Sequence, residues 1–315
     1  MIDVGGLFAK SAVSMTARTR NRLIAFSIMA APFIFLLCLL LFWDAEPPPT
    51  VPPLPNPNGY EDLVKAGEMI KGEVWDYDKA DLEKLRGIVS TNTEALMLAR
   101  TALTNQCAVP LRFSRDNLTN HLHDVLNLKN LAQAFATEGR LAGEEGHVGA
   151  AVKAYLDVIH LGNQVRHGGI LIDGMIGTAM ESIGVEHLQK LVDQMDAKAC
   201  QQTAAQLETL DSQRPAWDEI MQQERDWSRR TFPGIRYEIV RLMEHNSVKK
   251  ILSEAEQNYK KQQSQTHQLI VEFAARAYAL DKGHSAANLA DLVPHYLKTI
   301  PQDPFTSTNM VYAPR

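Results

Sequence analysis

Cysteine is scarce in this chain, three in 315 residues, too few for a disulfide scaffold. An excess of one charge is also missing. There are 32 basic and 37 acidic residues, net −5, with no basic block. A nucleic-acid surface needs a basic stripe to neutralise phosphates, so no nucleic-acid partner is expected. Neither a Gly-rich phosphate loop, a nucleophile elbow nor a Cys-x-x-Cys pair occurs, which removes the usual short motifs of nucleotide chemistry, serine hydrolysis and thiol exchange. No catalytic residue, cofactor site or metal site is assigned from sequence.

What stands out is the charge-free run "LIAFSIMAAPFIFLLCLLLFW", residues 23–43. At 1.5 Å per helical residue it covers roughly 30 Å, the thickness of a bilayer core. Lys10, Arg18, Arg20 and Arg22 precede it, and Asp44 and Glu46 follow. The positive-inside rule then predicts an N-terminal tail 1–22 in the cytoplasm and the bulk of the chain outside the inner membrane. The run is too long, and ends in residues too bulky, for a cleaved signal peptide, so it reads as a single-pass signal anchor. That leaves Cys107 and Cys200 on the oxidising side, where either a disulfide or two buried thiols would fit.

Residues 44–59, "DAEPPPTVPPLPNPNG", form a Pro-rich linker. Proline removes backbone donors and favours extended polyproline II, so this segment reads as a stiff spacer. From Tyr60 the apolar spacing turns helical. Leu63, Val64, Gly67 and Ile70 share a face. Leu82, Leu85 and Val89 follow a capping Asp78, and Thr91 with Glu94 has capping-box spacing. Two long stripes come next: Leu118, Leu122, Val125, Leu128, Ala132, Phe135, Gly139 and Ala142, then Val148, Ala151, Tyr155, Val158, Gly162 and Val165. The short connection between them predicts an antiparallel hairpin. Further helices are expected over 168–192, 197–211 and 215–231. A long helix over 247–280 carries Ile251, Ala255, Tyr259, Thr266, Ile270, Phe273 and Ala277 inward. At the end, Ser285 caps a short helix, Pro294 opens a second, "PHYLKTI", and "NMVY" finishes as a small strand.

Three groups of polar residues draw chemistry. His121 and His123 of "HLH", beside Asp124, are two residues apart and point in different directions on a helix. Zinc pairs sit at i and i+4, so no metal is assigned there. Asp173 in "GILIDGMIG" is an acid among apolar neighbours; such a carboxylate needs a partner or marks a site. Finally, Glu224, Arg225, Asp226, Arg229 and Arg230 surround Trp227, either as surface ion pairs or as a set of arginines clamping an anion.

Residues 132–165 resemble one tetratricopeptide-repeat hairpin, on Phe135, Gly139, Gly146, Ala151 and Tyr155, with no second copy 34 residues away. The last 45 or so residues resemble the ends of type II secretion major pseudopilins, on Leu289, Leu292, Tyr296, Leu297, Pro301, Asp303, Pro304 and Phe305. "TSTNM" offers no acids for that family's calcium loop. The layout as a whole resembles uncharacterised bacterial single-span membrane proteins. The expectation is a mainly α protein: a transmembrane helix at 23–43, a helical domain over 60–247 with one TPR-like hairpin, and a long helix plus pseudopilin-like module over 248–315. The expected role is a non-enzymatic scaffold or interaction protein whose partner is another envelope protein. The alternatives are an enzyme or small-ligand binder near Asp173 or Arg225–Arg230, and a pseudopilin-like assembly component.

Overall fold

The computed structural model describes residues 31–35, 52–72, 74, 79–113, 117–232 and 245–312. Apart from 31–35, a helical stretch with Phe33, Ile34 and Phe35 exposed, the predicted span at 23–43 lies outside these residues. Among the described residues no helix is long and apolar enough to cross a membrane. Eight α-helices follow among the described residues: α1 (Gly59–Glu68), α2 (Leu82–Ala102), α3 (Asn117–Glu144), α4 (Val148–Gln164), α5 (Leu171–Gln189), α6 (Ala197–Ser212), α7 (Trp217–Thr231) and α8 (His245–Lys282). Two 3-10 turns, Val192–Gln194 and Leu289–Leu292, lie among them. The described residues hold no strand, only an isolated antiparallel bridge between Gln302 and Asn309.

The mainly helical reading holds, and its boundaries move where capping chemistry differs from expectation. Asp81 caps α2, accepting from Lys84 N at 2.8 Å. Thr91 is not a cap; its hydroxyl donates to Gly87 O, one turn back inside an unbroken α2. Asn288, not Ser285, caps the Leu289–Leu292 turn. "PHYLKTI" is a turn rather than a helix, and "NMVY" reduces to the single bridge. Leu122 and Ile251, expected inward, are 43% and 53% exposed.

Core packing runs through the α3–α4 hairpin, with α5 against α4 and α8 against α6. One cluster of buried apolar residues reaches from Tyr60 to Leu297 and includes Phe135, Tyr155, Leu161, Leu207 and Phe273. Leu289, Leu292, Tyr296 and Leu297 of the C-terminal segment join it beside Ala277. Gly139 lets α3 approach α4: a Cβ there would sit 2.7 Å from the Tyr155 ring. At the α4–α5 crossing, a Cβ on Gly177 would lie 2.4 Å from Gly162 O and 2.7 Å from Arg166 Cγ. Helix propensity alone would make Gly177→Ala stabilising by up to about 1 kcal/mol. The crossing instead predicts a loss of about 1–3 kcal/mol from overpacking, and urea unfolding gives the sign.

Within this apolar frame lies a buried ion network. The Glu181 carboxylate is 1% exposed and accepts from Arg166 Nη2 at 2.6 Å, Arg214 Nη1 at 2.7 Å and Thr266 Oγ1 at 2.6 Å. Both guanidiniums lie over the Tyr259 ring, at 5.4 and 5.7 Å. Arg214 Nε also donates to Asp211 Oδ1 at 3.0 Å, and Asp211 Oδ2 lies 2.7 Å from His267 Nε2. The other ring nitrogen of His267 meets Gln302 O at 2.6 Å. A continuous chain of polar contacts thus runs from the α4–α5 crossing to the C-terminal segment.

Cys107 and Cys200 are free and buried. Cys107 sits against Gly59, while Cys200 Sγ lies 3.8 Å from Val192 O. Burial pushes their thiols up to about 12 and about 11, so the reactive thiolate is suppressed. The expected result is identical migration on reducing and non-reducing gels, with both cysteines alkylated only once the domain unfolds.

Candidate functional site

The Pro-rich segment is pinned where it meets the body. Asn58 Oδ1 accepts from Ala108 N at 3.0 Å and its Nδ2 donates to Ala108 O at 2.8 Å. Gly59 N donates to Gln106 O, and Val109 N to His167 O. Residues 106–113 are thereby stretched between the start of α1 and the α4–α5 turn, and Pro110, Leu111 and Arg112 become one wall of a pocket.

Asp173 lies behind this corner and reaches it through His121, which lines the pocket. Asp173 sits in the first turn of α5, is 1% exposed, and accepts from Ile170 N at 2.8 Å. His121 Nε2 lies 3.0 Å from Asp173 Oδ1 and 3.1 Å from Oδ2. This is why the inward stripe of α3 fails at Leu122: the inward place goes to His121, drawn to the buried carboxylate. Burial works against a charged ring at His121, but the Asp173 hydrogen bond and charge outweigh it, with help from Asp124, and raise its pKa. Leu171 N, the next free donor at the start of α5, is taken by Glu224 Oε2 at 2.9 Å. Burial, with the nearby Asp173 charge, raises the Glu224 pKa against the bond from Leu171. The Tyr60 hydroxyl is buried and has no partner among the described residues.

The pocket has a volume of about 210 Å³ and is lined by Leu118, Ile170 and Trp227 together with His121, Asp124 and Arg112. Trp227 is held by its indole N–H, which donates to Arg112 O at 3.2 Å. Of the polar groups singled out in the sequence, Asp173, His121, Glu224 and Trp227 therefore come together. The arginines do not. Arg225 donates to Gln222, while Arg230 stacks over Phe113 at 4.8 Å. His123 turns away from His121, toward Asn127.

A second concavity is larger. α4 and α6 splay apart to leave an open groove of about 920 Å³. Val148, Val152 and Leu156, at helical spacing on α4, form an apolar floor with Met195. Lys153, Gln202, Gln206 and Thr209 make an exposed polar rim, and Lys298 of the C-terminal segment closes one end. On the inner side of α4, Asp157 accepts from Arg100 Nε at 2.7 Å, and Arg100 also binds Glu138, which fixes α4 against α2 and α3. Of the floor residues only Val148 belongs to the stripe read from the sequence; Val152, Leu156 and Met195 lie outside it and become a floor only through the placing of α4 against α6.

The chain matches no family model, no curated protein and no solved structure.

Proposed function

We propose that the chain is a membrane-tethered, extracytoplasmic helical interaction domain that receives a segment of another envelope protein in the α4–α6 groove. The observation carrying this reading is the groove itself. It is an open concavity of about 920 Å³ between two helices. Its apolar floor and polar rim suit an amphipathic helix, read by anchors three and four residues apart. The hairpin beside it is the segment that resembles a tetratricopeptide repeat, and a single such hairpin with flanking helices fits a protein-recognition role. The anchor at 23–43 and the stiff linker would hold the domain clear of the membrane surface.

A photo-crosslinking residue at Gln206 on the rim tests this against the same residue at Glu254 on the exposed side of α8. The proposal expects one discrete adduct from Gln206, absent from Glu254 and lost when Gln202→Arg narrows the groove. No adduct, or the same adducts from both positions, overturns it.

A second reading is favoured by the buried His121–Asp173 pair opening on the smaller pocket. An imidazole oriented by a carboxylate is a group suited to proton transfer or to holding an anion. At about 210 Å³ the pocket is below the usual range for small-molecule sites, which places this reading second.

A further inference from the structure

We infer that the pocket walled by Arg112, His121, Asp124 and Trp227 is a binding site for a free α-amino acid with a small apolar side chain. The inference rests on the second reading above, the His121–Asp173 pair as an anion-holding group, and names what that pocket takes. His121 Nε2 lies 3.0 Å and 3.1 Å from the two Asp173 oxygens. Those oxygens only accept, so Nε2 carries a hydrogen, and the ring is held from behind by a carboxylate that is 1% exposed. Nδ1 has no partner among the described residues and is left to the pocket that the ring lines. Against burial, the Asp173 bond and charge favour the imidazolium, in which Nδ1–H donates as well.

Two opposite charges share the pocket with this donor, the exposed Arg112 and the half-buried Asp124. Among the described residues neither makes an ion pair. A simple anion would be drawn by Arg112 and His121 but repelled by Asp124, and a simple cation would meet the reverse. A zwitterion satisfies all three groups, with its carboxylate on Nδ1–H and the guanidinium and its ammonium on Asp124. Leu118, Ile170 and Trp227 then offer an apolar face to the side chain. A cavity of about 210 Å³ is too small for a drug-sized ligand and suits a molecule of this class. A further donor lies close by. Tyr60 is 1% exposed, and its hydroxyl has no partner among the described residues. Burial first, then the Asp173 and Asp124 charges, raise its pKa, which places it beside both carboxylates. A buried hydroxyl without an acceptor is costly; the polar end of a bound ligand supplies one, directly or through a water.

The test titrates the purified full chain in detergent with L-valine and L-leucine, followed by saturation-transfer NMR and by Tm. Isovalerate, which lacks the ammonium, and isobutylamine, which lacks the carboxylate, are the comparison probes. Expected are saturable binding of an amino acid with a rise in Tm, and binding of either fragment weaker by about tenfold or more. Arg112→Gln and Asp124→Asn should each weaken amino-acid binding by about tenfold or more, while Glu254→Gln, on the exposed side of α8, leaves it unchanged. Arg112 is exposed, so Arg112→Gln keeps the fold and decides the matter even if Asp124→Asn misfolds. Isovalerate binding as tightly as L-valine, and lost in Arg112→Gln, overturns the amino-acid assignment and leaves the anion reading standing. No saturable binding of any probe, or binding indifferent to Arg112→Gln, overturns both.

Discussion

Replacing Glu181 by glutamine should destabilise the domain by about 3–5 kcal/mol, the loss typical when one member of a buried ion pair is removed. The shape of the side chain is kept, so the effect isolates charge. Arg166 and Arg214 would remain buried, with Asp211 left as the counter-charge paired to Arg214. Burial by itself pushes the Glu181 carboxyl up, but the two guanidiniums outweigh it and hold the group down at about 2. A carboxylate so depressed contributes stability that is full above its ordinary value of 4.5 and is lost progressively as pH falls from there toward 2. The native protein should therefore lose stability across that acid window, and Glu181→Gln should lack that component. A typical domain has only about 5–15 kcal/mol in total, so the variant sits near the edge of folding at 37 °C. Urea unfolding measures the difference, and a loss under about 1 kcal/mol would mean the network adds little beyond packing.

The second large effect concerns pH and the C-terminal segment. His267 faces two pure acceptors, Asp211 Oδ2 at 2.7 Å and Gln302 O at 2.6 Å, so both ring nitrogens carry hydrogens and the ring is an imidazolium. Burial opposes that charge, but the Asp211 hydrogen bond and charge outweigh it, joined by the Gln302 carbonyl, and raise the pKa above its ordinary value. The sign follows from linkage. A raised folded-state pKa gives stability that is full below about pH 6.5 and lost as pH climbs through the folded value. In its neutral form the ring can satisfy only one acceptor. Hydrogen exchange across residues 286–312 should accelerate between pH 6 and 9, while exchange in α4 stays constant after correction for intrinsic rate. His267→Ala should lose about 3 kcal/mol, two charge-assisted hydrogen bonds, and remove the pH dependence. Equal protection at both pH values in the native chain would sink the assignment.

How much of this was legible in sequence differs by element. α6, α7 and α8 fall within a few residues of their expected bounds, because their apolar spacing is regular and their ends carry ordinary signals such as Asp196. The helix expected over 168–192 begins instead at Leu171, because Gly168 takes the left-handed region at φ +68°, and ends at Gln189. The C-terminal short elements were misread, since proline spacing marks where a helix stops but does not create the hydrogen bonds of the next one. Asp173 was visible as a lone acid in an apolar stretch, and Glu181 in "MIGTAMESIG" carries the same signal. Their partners were not readable: His121 lies 52 residues from Asp173, and Arg214 lies 33 from Glu181. Likewise, spacing in "HLH" argued that its two histidines diverge, as they do toward Asp173 and Asn127, yet could not reveal the Asp173 partner of His121.

The measurement closest to the central claim is cysteine accessibility in the membrane. Gln206→Cys places a thiol on the groove rim and Glu254→Cys places one on the exposed side of α8, while the native Cys107 and Cys200 stay buried. Both are probed with a membrane-impermeant maleimide, in spheroplasts with an intact inner membrane and in the purified chain. The account predicts equal labelling of the two after purification. In spheroplasts Glu254→Cys should label as fast as before, and Gln206→Cys should be slowed by the partner occupying the groove. Unslowed labelling of Gln206→Cys would mean an empty groove, and failure of both until the membrane is broken would place the domain on the wrong side.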